Sequence, residues 1–261
     1  MEAERSEAPW RRDPGKVIVV LPAYNESGNL GPLLEQIDQT MHEERQRYSV
    51  IVVDDGSNDD TLSVARQHAE YMPLRVERHA VNQGLGATIR DGLGVAASLC
   101  SERDIVVVMD ADNSHAPGLI RRMTREIHEG ADVVIASRYQ RGAYVRGLPL
   151  HRRLLSWGGS RLLKLFFPIP GVRDYTCGYR AYRGPVLREA FEKYGSAFID
   201  QEGFQCTVDI LLKLRDMNVI VREVPVILRY DLKEGTSKMK ILRTTVNTLA
   251  LMLRRLLGLP G

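Results

Sequence analysis

Ile105-Val-Val-Val-Met-Asp110-Ala-Asp112-Asn-Ser-His115 joins an apolar, β-branched run to two carboxylates one residue apart. The run has the length and composition of a buried strand. The carboxylates stand where that strand would leave its sheet. Alternate strand residues point to opposite faces, so Asp110 and Asp112 serve one ligand only if the strand has already ended. Asn113, Ser114 and His115 predict a turn there. Two carboxylates this close repel each other unless a cation joins them. Their oxygens suit Mg2+ or Mn2+, and those ions suit a diphosphate. The structural alternative is a helix cap or an Asx turn. Zinc is disfavoured, because His115 is the single nitrogen donor nearby.

The same pattern recurs upstream. Val17–Ala23 is an apolar run that leads into Pro22-Ala-Tyr24-Asn25-Glu26, and Val50–Val53 leads into Asp54-Asp55-Gly56-Ser57. Between them Leu30, Leu33, Leu34, Ile37 and Met41 repeat at helical spacing. Asp59 or Asp60 is placed to cap a helix after the second run. Leu74–Val76 reads as a short strand, Gly84–Ala97 as a helix, and Asp132–Ala136 as a strand. A helix is expected after Pro117, which suits a first helical turn. Alternating strands and helices predict an α/β fold with a mostly parallel central sheet flanked by helices. In such sheets ligands lie beyond the carboxyl ends of the strands. Three strand ends here carry chemistry, and their coincidence weighs more than any one of them.

The second half is less regular. Leu150–Phe167 reads as a basic amphipathic helix broken by Pro168 and Pro170. Asp174–Arg183 reads as a polar loop or short strand, Phe204–Leu214 as a helix and Val219–Leu228 as a strand. Ser237–Leu259 sets Lys238, Lys240, Arg243, Arg254 and Arg255 against an apolar stripe, which suits a membrane interface or packing on the domain. From Arg138 to Arg183 there are ten Lys or Arg and one acid, Asp174. So one-sided a segment faces an anion, a phosphate or a lipid surface, or is a solvated basic face.

The 261 residues fit one large α/β domain, and a net charge of +3 makes no case for nucleic acid. Cys100, Cys177 and Cys206 are scattered with no Cys-x-x-Cys, which predicts a reducing compartment and no structural zinc. No signal core opens the sequence, and no run reaches the roughly 18 apolar residues of a membrane span. If such a protein meets a membrane, it is expected to lie on it.

Each strand-end residue has a candidate role beside a structural one. Tyr24 can stack on a base, Glu26 can bond its edge or the ribose, and Pro22 fixes the chain's exit from the strand. Asp55 can accept from a nucleobase or ribose, or can serve an Asp-Gly turn. Asn82-Gln-Gly84-Leu-Gly86 offers a turn before a helix N-terminus, a place suited to phosphate. Gly-x-Gly-x-x-Gly is absent after the first strand, which argues against a nicotinamide site. Arg138, Arg152 and Ser156 lie in the basic segment, the last two four apart and so on one helical face. They and Lys238 suit phosphate groups, unless each is only a surface polar residue.

Taken in order, Leu-Pro-Ala-Tyr-Asn-Glu (21–26), Val-Val-Asp-Asp-Gly-Ser-Asn-Asp-Asp-Thr (52–61), Asn-Gln-Gly-Leu-Gly-Ala (82–87), Met-Asp-Ala-Asp-Asn-Ser-His (109–115), Ala-Ser-Arg-Tyr (136–139), Asp-Tyr-Thr-Cys-Gly-Tyr-Arg (174–180) and Gly-Thr-Ser-Lys (235–238) resemble the family 2 inverting glycosyltransferases. Within them the chain is most similar to the dolichyl- and polyprenyl-phosphate mannose synthases. The resemblance implies a GT-A (Rossmann-like) catalytic domain over 16–236, a flexible tail over 1–15 and an interfacial helix over 237–261. It implies that Pro22, Tyr24, Glu26, Asp55 and Asp110 hold a nucleotide, and that Asp110, Asp112 and Ser114 hold Mg2+ or Mn2+. Arg138, Arg152, Ser156 and Lys238 would hold an acceptor phosphate, with Asp112, Arg138, Arg152 and Ser156 at the reaction centre. The implied partners are a nucleotide sugar, GDP-mannose before others, a polyprenyl or dolichyl phosphate, and a membrane surface at its cytoplasmic face. The transmembrane helices of many relatives are not matched, which implies the short, peripheral form. Asn113, where the mannose synthases more often carry Leu, keeps UDP-glucose or another UDP-sugar open as donor. With a hydroxyl acceptor the base would be Asp200 or Glu202. An idle regulatory domain is the reading from another class, and the intact Asp-x-Asp speaks against it.

Overall fold

β1 (Val17–Ala23) is buried along its whole length, as its unbroken apolar sequence requires of a strand covered on both faces. The computed structural model describes residues 15–232 and 241–258, and only the backbone of residues 151, 152, 241 and 242. The first half alternates as expected: α1 (Ser27–Glu43), β2 (Tyr48–Asp54), α2 (Thr61–His68), β3 (Leu74–Arg78), α3 (Leu85–Leu99), β4 (Ile105–Val108), α4 (Ile120–His128) and β5 (Val133–Ser137). Then follow β6 (Tyr144–Arg146), α5 (Leu150–Phe166), β7 (Arg180–Arg183), α6 (Gly184–Tyr194), α7 (Cys206–Arg215), β8 (Val221–Pro225), β9 (Ile227–Arg229) and α8 (Ile241–Leu256).

Seven strands form one sheet in the order β3-β2-β1-β4-β7-β5-β8, while β6 and β9 pair separately. The chain leaves β1 for β2 and β3 on one side, then returns to place β4 on the other. That reversal opens a crevice beyond the carboxyl ends of β1 and β4. Register brings the chemistry level: Ala23 pairs with Asp54, and Val20 with Val108. α3 lies directly on this part of the sheet, and a Cβ at Gly92 would come within 2.5 Å of Val20 Cγ1.

Three features depart from the sequence reading. β7 runs antiparallel between β4 and β5, with Val108 opposite Arg180 and Ile105 opposite Arg183. The chain enters it from the cleft edge, where β4 ends, so no crossover carries it back to the other edge first. α6 was not anticipated, because its buried apolar stripe is only Val186, Leu187 and Ala190, although Pro185 in its first turn suits a helix start. The apolar run Val219–Leu228 is two strands that part at Val226, and β9 joins β6 rather than the main sheet.

Asp60 occupies the N-cap position of α2 without a side-chain bond. Asp59 does the accepting instead, from the Thr61 amide at 3.0 Å and the Ser27 amide at 3.1 Å. All three cysteines are free and buried. α8 is amphipathic as expected, with Leu251 and Met252 buried and Leu253 and Leu256 exposed. Arg255 anchors it by donating to Asp209 Oδ1 of α7 at 2.7 Å, and Lys213 holds the other oxygen at 2.5 Å. Residues 1–14 of the tail expected over 1–15, together with Ser237 and Lys238, lie outside the described residues. Among the described residues no helix is long and apolar enough to cross a membrane.

Candidate active site

A cleft of about 700 Å3 opens where the sheet topology places it. Pro22, Tyr24 and Glu26 line it from the end of β1, and Asp55 from the end of β2. Asp110, Asp112 and Ser114 enter from the turn after β4, Arg138 from just beyond the end of β5 and Ser156 from α5. Beyond them the cleft runs between α5 and α8, past Leu155, Leu162, Leu249 and Met252. Of the residues singled out from sequence, Arg152 lies in α5 with its side chain outside the described residues, and Lys238 lies outside them altogether.

The Asp-x-Asp turn forms as its composition predicts. β4 ends at Val108, and Asn113 takes a φ of 58°, a left-handed conformation that asparagine tolerates. The Asx turn is present: Asp112 Oδ1 accepts from the Ser114 amide at 3.1 Å and from its hydroxyl at 2.6 Å. The Ser114 oxygen keeps its lone pairs. The Asp110 side chain is 42% exposed, and its amide donates to His115 Nδ1 at 3.2 Å. That bond puts any ring proton of a neutral His115 on Nε2. Among the described residues no three His, Cys, Asp or Glu side chains gather as a metal cage. The oxygen-rich pair of carboxylates with a hydroxyl fits an ion shared with a diphosphate, since Mg2+ is held by one or two carboxylates plus substrate phosphates.

Asp55 is buried and heavily engaged. Its Oδ1 accepts from His79 Nδ1 at 2.7 Å and the Gln83 amide at 2.8 Å, and its Oδ2 accepts from the Gly84 amide at 2.9 Å. The Gly86 amide donates to Glu202 O at 2.9 Å. The amides of Gln83 and Gly84, in the turn before α3, and of Gly86, in its first turn, are thus bonded within the protein, while Asn82, Gly84 and Leu85 line the cleft. At Gly86 a Cβ would lie 1.7 Å from Gln201 O. Glu26 likewise accepts from Asn29 Nδ2 at 2.7 Å.

In the same cleft Arg138 is gripped by Asp174. Nε donates to Oδ2 at 2.8 Å and Nη2 to Oδ1 at 2.6 Å, and Nη2 reaches Thr176 Oγ1 at 2.6 Å. Thr176 in turn bonds Ser156 Oγ at 2.9 Å. Burial alone would lower the Arg138 pKa, but the Asp174 carboxylate outweighs it and raises it. Burial would likewise raise Asp174, and Arg138 holds it below its ordinary value. These bonds use neither hydrogen of Nη1, so the guanidinium keeps donors for an anion in the cleft.

The basic segment is less free than its composition implies. Arg183 pairs with Asp132 at 2.7 Å and Arg146 with Asp231 at 3.3 Å. Arg180 is buried and donates to the carbonyls of Cys177, Thr207 and Tyr175. The apolar residues over 162–169 divide: Leu163, Phe167 and Ile169 are in the core, while Leu162, Leu165 and Phe166 are exposed. With Leu154 and Trp157 they leave α5 an apolar outer face. Asp200 and Glu202 do not line the cleft. Burial pushes the Asp200 pKa up, but the bonds from Gln201 and Lys213 outweigh it and lower it, which is the wrong direction for a base.

His79, Asp91 and Thr176 were not found from sequence. Nothing local marks them, because each acts through a partner distant in the chain. Asp174 did carry a signal, as the sole acid among ten cations.

Residues 18–191 match the model of glycosyl transferase family 2. The chain is 33% identical over 211 residues to a dolichol-phosphate mannosyltransferase of Pyrococcus furiosus, covering 80% of this chain and 55% of that protein's length. It is 34% identical over 226 residues to a polyprenol monophosphomannose synthase of Mycolicibacterium smegmatis, covering 86% of this chain and 81% of the relative. The fold superposes on a glucosyl-3-phosphoglycerate synthase of Mycobacterium tuberculosis, solved with Mn2+, UDP and phosphoglyceric acid, with a TM-score of 0.68 at 21% identity. That likeness covers 95% of this chain and 80% of the other.

Proposed function

We propose that this chain, which belongs to glycosyl transferase family 2, moves a sugar from a nucleotide sugar to the phosphate of a polyprenyl or dolichyl monophosphate, inverting the anomeric carbon. Mannose from GDP-mannose is the favoured donor, in line with the mannosyl transfer named for the two relatives. The observation that carries the reading is the layout of the cleft. Carboxylates at the strand ends share one cleft with Arg138 and Ser156, and an apolar seam of α5 and α8 residues lines it too.

Tyr24 and Asp55 hold the base or ribose, with Pro22 and Glu26 shaping that end of the cleft. Asp110, Asp112 and the Ser114 hydroxyl hold Mg2+ or Mn2+. When bound, the ion neutralises charge on the departing nucleoside diphosphate. Arg138, Arg152, Ser156 and Lys238 bind the acceptor phosphate and set one of its oxygens behind the anomeric carbon. Alignment of this kind supplies much of the rate of a bimolecular transfer. A phosphate monoester is already largely ionised near neutral pH, so the protein needs no strong general base. The prenyl chain leaves along Leu155, Leu162, Leu249 and Met252. The exposed apolar faces of α5 and α8, flanked by Arg153, Lys164 and Arg254, rest on an anionic membrane surface, which we place at the cytoplasmic side.

The test is an incubation with a panel of radiolabelled nucleotide sugars and a polyprenyl phosphate. Label from GDP-mannose entering the lipid phase supports the reading. Label from a UDP-sugar would replace the donor, and no lipid label from any donor would overturn the acceptor class.

A further inference from the structure

His79 lies just beyond β3, and its backbone amide continues the sheet pairing by donating to Asp54 O at 2.9 Å. Its ring is buried between two carboxylates. Nδ1 is 2.7 Å from Asp55 Oδ1, and Nε2 is 3.0 Å from Asp91 Oδ2 on α3. Asp91 is held in turn by Arg90 Nε at 3.0 Å. A carboxylate oxygen accepts, so in the bond to Asp55 Nδ1 is the donor. Three donors now converge on Asp55: the His79 ring and the amides of Gln83 and Gly84. A carboxylate offers about four acceptor sites. Both on Oδ1 are taken and one on Oδ2, so a single Oδ2 lone pair is left for a ligand.

We propose that His79 is a positioning residue for the nucleotide, tying Asp55 to Asp91 so that one fixed lone pair of Asp55 meets the base or ribose. This rests on the reading that Asp55 bonds the nucleotide. Without the ring, Asp55 keeps the two loop amides but can rotate about them, and Oδ1 regains an acceptor site. The single-donor bond is then lost, while Asp110, Asp112 and Arg138 stand on other elements and are untouched. The effect falls on donor binding and spares the chemical step.

The two nitrogens can be separated by substitution. In His79→Asn the amide nitrogen stands near the place of Nδ1 and keeps the bond to Asp55. In His79→Gln it stands near the place of Nε2 and keeps the bond to Asp91 only. We expect His79→Gln to raise the donor KM about tenfold or more, the loss of one charge-assisted bond, with kcat within about twofold. His79→Asn should recover most of that loss. Asp91→Ala, on a half-exposed side chain, should raise KM severalfold with the fold intact. Nucleoside diphosphate titrations of Asp55→Ala by calorimetry test the underlying reading separately. If Asp55→Ala binds the nucleotide as the parent does, the assignment of Asp55 fails and the proposal with it. If Asp55→Ala weakens binding but His79→Gln and Asp91→Ala leave KM unchanged, the proposal alone is overturned. Equal effects of His79→Asn and His79→Gln, or a fall in kcat at constant KM, also overturn it.

Discussion

Replacing Asp174 by asparagine removes one charge from a pair that the protein has taken almost wholly out of water. The carboxylate is fully buried and the Arg138 side chain is 15% exposed. Besides Nε and Nη2 of Arg138, the amides of Arg138, Thr176 and Cys177 donate to Asp174 at 3.0, 3.2 and 3.1 Å. An asparagine keeps the volume but turns one acceptor into a donor facing other donors. It also leaves the guanidinium buried without a counter-charge. Breaking a buried pair in this way costs about 3–5 kcal/mol. At roughly 2–4 °C per kcal/mol for a domain of this size, the unfolding midpoint falls by roughly 6–20 °C. Scanning calorimetry at neutral pH measures it. The pH dependence has a fixed sign. Asp174 is held below its unfolded value, so its contribution is complete above about pH 4 and is lost as pH falls through the folded value. Asp174→Asn is therefore least different from the parent in strong acid. The double variant Arg138→Met/Asp174→Leu should regain only part of the stability while losing acceptor use, because it removes the uncompensated charge but leaves the amides of Arg138, Thr176 and Cys177 without their acceptor. A midpoint for Asp174→Asn within a degree or two of the parent would refute the reasoning, and so would an equal deficit at pH 7 and pH 2.

Three further outcomes are expected. Asp112→Ala loses divalent-ion-dependent transfer while giving up about 1–2 kcal/mol from the bonds to Ser114, checked by turnover against metal concentration and by urea unfolding. Arg152→Ala raises the KM for polyprenyl phosphate about tenfold or more and leaves nucleotide affinity within about twofold, since a lost phosphate contact falls on the acceptor alone. Trp157→Glu with Leu165→Glu, both on the exposed face of α5, weakens sedimentation with anionic vesicles and leaves the melting temperature unchanged, because neither side chain is in the core.

The parts that were legible in sequence share one property: their partners are close in the chain or fixed by a strong local rule. Strands β1, β2 and β4 show as apolar runs, and parallel pairing follows once helices alternate with them. Their ends were readable as a site because the topology of such a sheet decides where strand ends go. The turn at Asn113 and the Asx bond from Ser114 to Asp112 are local chemistry, and both could be read from five residues. Beyond β5 the rule weakens. β7 is short and could be read only as a loop or short strand, because the pairing that makes it a strand comes from β4 and β5.

The basic segment shows most clearly why composition misleads. Counted along the chain, residues 138–183 hold ten cations and one acid. Counted in space, Asp132 and Asp231 come from outside the segment to meet Arg183 and Arg146, and carbonyls surround Arg180. Arg138 stays in the cleft with donors to spare only because Asp174 and Thr176 hold it from behind. The pairing does two things at once. It offsets the cost of burying the guanidinium, and it fixes the direction in which the remaining hydrogens point. A lysine has neither the fork to be held by one side nor the second edge to offer on the other. Substituting Arg138→Lys should therefore cost acceptor binding about as much as Arg138→Met does, although it keeps the charge. A lysine variant with near-parental acceptor KM would show that charge alone, and not its held direction, is what the cleft requires.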